Sequence, residues 1–331
     1  MKIKTILGVL IVLIAGLLLI PASGNALTVS PPIIELDANR GDIITQAIKV
    51  RNESQTNVTY YLTTERFVAS GEGGAPEFKG EDVGLASWIK FGGVQSITIP
   101  AGETIELPFT VEVPNFASAG GQYAAIFLSN IPPEKDTKAS GVSIASRVGI
   151  MVFVKIAGDI KEEAKVEEFS TSSSSYNSLP VNFIVKVNNL GNVHVRPMGT
   201  IVVKNMFGSV AGQVAVNENA GAVLPDQVRK FEASWVKNPN AVGATGFLGK
   251  YNQQKANYAF GKYSADLNLA YGTAGKVLNA KTNFTVIPWN VIIVNLIILI
   301  IIVIILFFLV KQYNAWLLKK YGIKATKPVK K

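Results

Sequence analysis

The sequence GQYAA, Gly121–Ala125, returns further along the chain as GKYSA, Gly261–Ala265. Both stretches place a glycine two residues before a tyrosine and an alanine two residues after it. In immunoglobulin-like sandwiches, a tyrosine near the start of a late strand forms a tyrosine corner, in which its hydroxyl hydrogen-bonds back to the chain and the residue two positions on lies in the core. We therefore predict such corners at Tyr123 and Tyr263, each followed by a core alanine.

Two further short sequence motifs, which we call words, repeat in the same order along the chain. They are IKVRN (Ile48–Asn52) with VKVNN (Val185–Asn189), and ASWIK (Ala86–Lys90) with ASWVK (Ala233–Lys237). Around them, short alternating segments are separated by Gly, Pro, Asn and Ser, and no segment has convincing helical periodicity. The sequence thus predicts an all-β chain with two tandem immunoglobulin-like β-sandwiches at residues 27–160 and 164–286. The charged segment Asp159–Phe169 is predicted to link them.

The two ends of the chain have targeting patterns. Residues 1–26 combine two lysines, the apolar run Ile6–Ile20 and a small-residue cleavage pattern, which predicts a cleaved N-terminal signal peptide. Near the other end, Val291–Val310 has Asn295 as its only polar residue and is long enough to cross a bilayer core, so a transmembrane helix is predicted at residues 288–310. The tail at 311–331 has seven lysines and no acidic residue, which predicts a cytoplasmic C-terminus. We expect a single-pass protein of the cell membrane with residues 27–286 outside.

The distribution of charge argues against a nucleic-acid partner. The net charge is +9, but two lysines lie in the signal and seven in the tail, which leaves 32 − 2 − 7 = 23 basic residues against 23 acidic ones between them. The neutral ectodomain has no polyanion-binding character, whereas the lysine tail suits anionic lipid headgroups. Because the chain has no cysteine, its stability depends on packed cores rather than on disulfides.

The residues that most resemble catalytic groups are isolated in sequence. His194 is the only histidine, and in NNLGNVHVRP it follows a turn and falls on the outward face of a predicted strand, between Val193 and Val195. Ser87 and Lys90 form Ser-x-x-Lys without the partner motifs that a penicillin-binding protein needs. No cysteine, second histidine or Gly-x-Ser-x-Gly accompanies them. We predict no catalytic residue, no metal site, no cofactor and no enzymatic activity.

The candidate binding residues are Phe78 and Trp88. Phe78 lies within the long glycine-rich loop Gly71–Gly84 and Trp88 lies just after it, and long loops of compact domains are often functional. The competing interpretation is that the loop is a flexible connection without a function of its own. For Trp88 the competing interpretation is a core strand residue, because its repeat partner is Trp235.

The order of these words resembles a known family. LTVSPPIIEL, IKVRNESQTNVTYYL, VPNFASAGGQYAAIFL and SRVGIMVFVKIAGDI are similar to the N-terminal, peptidoglycan-binding domain of the WxL-interacting protein family of bacterial surfaces. NNLGNVHVRPMGTIVV, VLPDQVRKFEASW and GKYSADLNLAYG, followed by a membrane helix and a basic tail, are similar to its second domain. The resemblance implies that the first domain binds cell wall and the second binds partner proteins. The first domain is also similar in plan to the N-terminal sandwich of periplasmic pilus chaperones.

The sequence therefore predicts a non-enzymatic surface protein that binds peptidoglycan or another wall glycan, another surface protein, or both. The alternative is a chaperone-like assembly factor that acts by β-strand augmentation. An unpaired edge strand in the first domain favours the alternative, whereas a concave aromatic surface favours glycan.

Overall fold

A computed structural model describes residues 27–80, 83–132 and 147–321. The predicted signal peptide and residues 322–331 of the predicted tail lie outside the described residues. The chain divides into two compact units. Unit 1 contains the described chain up to Glu163 with Asn189–Val195 and Leu224–Gln227, and unit 2 contains Ala164–Asn188, Arg196–Val223 and the chain from Val228 onward.

Unit 1 consists of two packed β-sheets. In chain order its elements are β1 (Leu27–Ser30), β2 (Ile33–Ala38), β3 (Ile43–Asn52), β4 (Val58–Ser70), β5 (Ala75–Phe78), α1 (Leu85–Trp88), β6 (Ile89–Lys90), β7 (Ser96–Ile99), β8 (Thr104–Glu112), β9 (Gly120–Ser129) and β10 (Arg147–Ile156). One sheet has the order β1-β3-β8-β6, and the other has the order β2-β10-β9-β4-β5, with β7 also paired to β4. One apolar core includes residues of both sheets, which makes this unit a sandwich.

Unit 2 is a second sandwich that continues into a long helix. Its elements are β11 (Ala164–Thr171), β12 (Ser175–Tyr176), β13 (Val181–Asn189), β14 (Met198–Asn205), β15 (Val210–Val216), β16 (Val228–Trp235), a 3-10 turn (Pro239–Ala241), α2 (Gly246–Ala256), β17 (Gly261–Tyr271), β18 (Lys276–Val286) and α3 (Trp289–Tyr321). The sheets have the orders β11-β13-β16 and β12-β18-β17-β14-β15. Aromatic side chains of the two sheets meet between them: the rings of Phe183 and Phe284 lie 5.8 Å apart. The prediction of an all-β, immunoglobulin-like fold is confirmed, although α2 was not expected from the sequence.

The first repeated word marks the same buried turn in both copies. Asn52 ends β3 and Asn189 ends β13, and both side chains are inaccessible to solvent. Each Oδ1 accepts from the main-chain N–H two residues on, at 3.0 Å for Asn52 and 2.9 Å for Asn189. Each Nδ2 donates to the carbonyl four residues on, at 2.8 Å in both cases. The two copies of this motif therefore share a local structure as well as a sequence.

The Gly-x-Tyr word has different surroundings in the two copies. Tyr263 packs 5.2 Å from Trp235 of the facing sheet, and its hydroxyl accepts from the N–H of Phe260 at 3.1 Å, which confirms the predicted tyrosine corner. On β9, however, the even-numbered residues belong to the core between the sheets, so Tyr123 and Ala125 lie on the opposite face. The prediction of a tyrosine corner at Tyr123 is wrong, and Ala125, although fully buried, lies outside the core between the sheets.

The ASW word also differs between its copies. Trp235 ends strand β16 and is buried, whereas Trp88 ends the short helix α1 and packs partly buried against the core of unit 1. A core strand at Ala86–Trp88 is therefore not found, because only Ile89 and Lys90 pair, with β8.

Helix α3 is the described helix that is long and apolar enough to cross a membrane. It begins at Trp289 and has 33 residues, so it continues through Val310 to Tyr321. At a rise of 1.5 Å per residue, it is about 50 Å long, which exceeds a bilayer core of about 30 Å. The part of the predicted tail that lies within the described residues is therefore helical.

Candidate functional site

One open main-chain edge beside the core of unit 1 is the first part of β10. Strand β9 pairs with β10 along its whole length, from Arg147 to Ile156. On the other side, β2 pairs only from Met151 onward. Within residues 27–80, 83–132 and 147–321, no strand pairs with Arg147–Ile150 on that side. Among the described residues, these four positions of a core strand thus have an unpaired edge.

The register shows which groups point out of this edge. The N–H of Met151 donates to the carbonyl of Pro32 at 3.0 Å, so odd-numbered residues of β10 direct their main-chain groups towards β2. Since main-chain groups alternate in direction along a strand, the N–H and C=O of Arg147 and Gly149 point towards the unpaired side. A second extended chain can bond there without displacing a strand.

The edge is fixed in place by contacts on the outer face of the sheet. The guanidinium of Arg147 lies 3.4 Å from the centre of the Phe127 ring, and it also forms an ion pair with Glu65. At Gly149, a Cβ atom would lie 2.7 Å from a ring carbon of Phe127, so only glycine leaves room for this ring. These contacts order the strand while its main-chain groups stay accessible, which reduces the entropy lost on binding.

An aromatic cluster covers the rest of this outer face. The ring of Phe67 lies 5.9 Å from Phe153 and 6.1 Å from Tyr123, and Phe153 lies 4.9 Å from His194. At the other end, Phe78 meets Phe127 edge to face at 4.7 Å. The cluster is a packed apolar layer of side chains and not an open concave surface.

His194 belongs to this cluster. It lies between β13 and β14 and outside any strand, its side chain is only 16% exposed, and its N–H donates to the hydroxyl of Tyr123 at 2.8 Å. Burial lowers the pKa of His194, with a smaller contribution from the charge of Lys155, and burial raises the pKa of Tyr123. The prediction of an outward-facing strand residue is wrong, because contacts distant in sequence bury the imidazole.

The described residues offer no metal centre. Among residues 27–80, 83–132 and 147–321, no group of three or more His, Asp or Glu side chains is close enough to hold an ion. The Nε2 atom of His194 lies 3.9 Å from one oxygen of Glu35, which supplies a single carboxylate. This pair lacks the ligand number that a structural or catalytic metal requires.

A cavity of about 600 Å³ lies where β4 and β9 separate. Their pairing ends at Arg66 and Ala124, and the residues beyond, including Val68 and Gln122, line the cavity. All of its lining residues belong to unit 1. Its wall is mixed, with Arg66 and Asp159 both contributing, so charge alone does not select one class of small ligand.

The structure does not bring the two predicted binding residues together. Phe78 lies at the end of β5, is 36% exposed and is engaged by Phe67 and Phe127. Trp88 packs against the core of unit 1 and has no ring contact with Phe78. The edge of β10 was missed at the sequence level; its signal was the alternating run Arg147–Ile156, which is longer than β2, the neighbour that pairs with it.

The fold and the open edge define a class of two-domain immunoglobulin-like proteins with an accessible strand edge in the first domain. No protein-family model matches the chain, and no curated protein sequence matches it. Among solved structures, it is similar to the class 5 fimbriae chaperone CfaA, with 12% identity, a TM-score of 0.37, and coverage of 78% of this chain and 99% of that one. It is also similar to the Pseudomonas aeruginosa CupB2 chaperone, with 11% identity, a TM-score of 0.35, and coverage of 78% and 100%. The E. coli chaperone DraB shows 11% identity, a TM-score of 0.35, and coverage of 79% and 95%.

Proposed function

We propose that this protein is a non-enzymatic, membrane-anchored binding protein that takes up an extended segment of another protein at the edge of β10. This proposal rests on the unpaired side of Arg147–Ile150 in the described chain. The rest of β10 is paired on both sides, with β9 and with β2. An added strand forms main-chain hydrogen bonds, each contributing about 0.5–1.5 kcal/mol net, while its side chains supply specificity. Such binding suits an assembly factor that holds subunits before they are incorporated.

The side chains beside the edge indicate what the added segment contains. Ile150 is fully buried in the core, and Val148, which points to the same face, is half-buried. An alternating apolar segment laid along this edge extends the same apolar row, because side chains of neighbouring strands align on one face. We therefore expect the partner segment to be an alternating apolar strand of a secreted or surface protein.

The experiment compares two substitutions at one residue. Arg147→Ala and Arg147→Pro both remove the guanidinium contacts with Phe127 and Glu65, but only proline removes the main-chain N–H that points out of the edge. Because the main-chain groups of odd-numbered residues of β10 point away from β9, a proline at position 147 breaks no hydrogen bond to β9. We expect Arg147→Pro to weaken partner binding at least about fivefold relative to Arg147→Ala, the effect of one lost hydrogen bond.

The partner is first identified by photo-crosslinking in intact cell envelope from a benzoylphenylalanine at Val148 in the full-length protein. Binding of that purified partner is then measured for the two variants. A crosslinked protein that binds Arg147→Ala and Arg147→Pro equally well contradicts strand addition at this edge. Melting curves of both variants show whether either change unfolds unit 1.

Peptidoglycan binding through Phe78 and Trp88 stays a prediction and is our second candidate. The rings of the cluster are packed on one another, so the outer face of the sheet offers few free aromatic faces for sugars. Co-sedimentation of the full-length protein with insoluble peptidoglycan, weakened by Phe78→Ala and unaffected by Arg147→Pro, would instead support the glycan function.

A further inference from the structure

Helix α2 of unit 2 is bonded directly to the start of α3. The side chain of Gln254 is buried; its Nε2 donates to Oδ1 of Asn290 at 3.0 Å, and its Oε1 accepts from the N–H of Val291 at 3.2 Å. The Nδ2 of Asn290 in turn donates to the carbonyl of Phe247 at 3.3 Å. These three hydrogen bonds fix the position of α2 relative to the first turn of α3.

This attachment sets the depth of α2 if α3 spans a bilayer. The apolar run Val291–Val310 spans about 30 Å at 1.5 Å per residue, which matches a bilayer core. Asn290 then lies at the boundary between the apolar core and the headgroups. Because the carbonyl of Phe247 bonds to Asn290, the first turn of α2 lies at the same boundary.

Apolar and aromatic side chains are exposed around this point. We name them the juxtamembrane patch, and it consists of Phe247, Leu248, Tyr258, Phe260 and Trp289. Leu248 is 72% exposed, so placing its side chain among lipids would remove apolar surface from water. Phe260 directly precedes Gly261, which pairs with Val286 at the end of β18, so it too lies near the start of α3. Aromatic residues of this kind are enriched at membrane interfaces.

The charges nearby match an anionic surface. From Ala233 to Ala265 the sequence contains lysines at 237, 250, 255 and 262 and no acidic residue. Lys250, Lys255 and Lys262 are exposed, and within the described residues none of them forms a salt bridge. Lysines close to an anionic bilayer surface add attraction to that gained by burying apolar side chains.

We infer that the juxtamembrane patch lies in the headgroup region of an anionic bilayer and fixes unit 2 on the membrane surface. In this arrangement α3 is the anchor, and α2 with Tyr258, Phe260 and Trp289 forms a second, interfacial contact. The inference rests on the proposed membrane-spanning role of α3, and its test includes a separate readout of that role.

The test uses single cysteines, since the native chain has none. Leu248→Cys, Ala274→Cys and Ile300→Cys are each labelled with an environment-sensitive fluorophore in the full-length protein. The proteins are reconstituted in vesicles of phosphatidylcholine with a minority of phosphatidylglycerol. Ala274 is the matched control: it is exposed in the turn between β17 and β18, about 35 Å along β18 from Val286. Quenchers are aqueous iodide and lipids with a spin label near the headgroup or near the chain end.

We expect the probe at Leu248 to be quenched by the headgroup-proximal spin label and to be at least about threefold less accessible to iodide than the probe at Ala274. The probe at Ile300 should be quenched by the deep spin label. If Ile300 is quenched by deep spin labels while Leu248 is as accessible to iodide as Ala274, the interfacial contact is refuted and the span stands. Lack of lipid quenching at Ile300 would refute the span itself. Protection of Leu248 from iodide without lipid quenching would indicate a protein contact and also overturn the inference.

Discussion

At the scale of single residues, the buried polar side chains carry much of the specificity of the fold. Asn52 has its Nδ2 within 3.1 Å of three carbonyl oxygens, of Thr56, Ile99 and Pro100. An amide can satisfy donors and acceptors at once, which neither an aspartate nor a leucine of similar size can do here. The same geometry at Asn189 explains why this asparagine recurs in both copies of the word.

We predict that Asn52→Ala lowers the free energy of unfolding of unit 1 by about 2–3 kcal/mol, because several buried main-chain groups lose their partner. The measurement is thermal unfolding of the full-length protein in detergent. Asn279→Ala, at an exposed position of β18, is the control and should change stability by less than about 0.5 kcal/mol. Equal effects of the two substitutions would show that the buried network is unimportant.

Removing the hydroxyl group of Tyr263 and that of Tyr60 should have opposite effects on stability. Tyr263→Phe leaves the N–H of Phe260 without its acceptor and should destabilise unit 2 by about 1 kcal/mol. Tyr60 is 1% exposed, and within the described residues its hydroxyl has no hydrogen-bond partner. Tyr60→Phe should therefore leave unit 1 as stable as before or more stable, since it removes a buried, unsatisfied group. A loss of stability in Tyr60→Phe comparable to that in Tyr263→Phe would show instead that the Tyr60 hydroxyl stabilises the folded chain.

The buried imidazole of His194 predicts a pH dependence. Its folded-state pKa is lowered mainly by burial, so protonation favours the unfolded chain. This contribution to stability is complete above the unfolded pKa of about 6.5 and is lost as the pH falls below it. The melting temperature should thus fall between about pH 7 and 5.5, and His194→Gln should reduce that fall even if it lowers stability overall through lost contact with Phe153. An unchanged pH profile in the variant would assign the effect to other groups.

At the scale of elements, a short word does not fix the type of secondary structure. The three letters ASW form the end of a strand at Ala233–Trp235 but a short helix at Ala86–Trp88. Gly84, which precedes this helix, has a positive φ of 61°, a conformation that glycine adopts without strain. Helix α2 similarly depends on its contacts with α3 rather than on a clear apolar periodicity of its own.

We predict that Gln254→Ala loosens α2. The substitution keeps helix propensity high but removes both side-chain bonds to the start of α3. Hydrogen exchange of residues 246–256 in the full-length protein should become at least about fivefold faster, as expected when about 1 kcal/mol of local stability is lost. Asn252→Ala, at an exposed position of the same helix, leaves both of these bonds in place and serves as the comparison; equal exchange in the two variants would count against this role of Gln254.

At the scale of the whole molecule, the arrangement of charge follows the proposed membrane topology. Residues 27–286 are neutral, whereas the chain after Val310 has seven lysines and no acid. Positive segments are enriched on the cytoplasmic side of membranes, so we predict that the lysines orient α3 with its C-terminal end in the cytoplasm. The absence of net charge on residues 27–286 is consistent with recognition by strand pairing and apolar contact, which need no electrostatic steering.

We predict that protease added to intact cells removes the ectodomain and leaves a membrane fragment that begins close to Trp289. A tag placed after Lys331 should be protected until the cells are lysed. Digestion of that tag from outside would reverse the orientation, while release of an intact full-length chain without detergent would remove the membrane anchor from the proposed function.

Local periodicity and composition were enough to predict several features of this protein. These features are the alternation that gives all-β sandwiches, the long apolar run of α3, the balanced charge of residues 27–286 and the repeated motif that ends at Asn52 and Asn189. Other features depend on contacts between residues far apart in the chain and became visible only in the fold. Such contacts bury His194 against Phe153 and place Tyr123 on the outer face of its sheet, whereas Tyr263 lies in the core. They also determine that β2 pairs with β10 only from Met151 onward. A shift of strand register by one residue moves every side chain of the strand to the opposite face of the sheet. A strand edge is open only when no neighbouring strand pairs with it. Both properties depend on packing between distant segments, so a short stretch of sequence does not encode them.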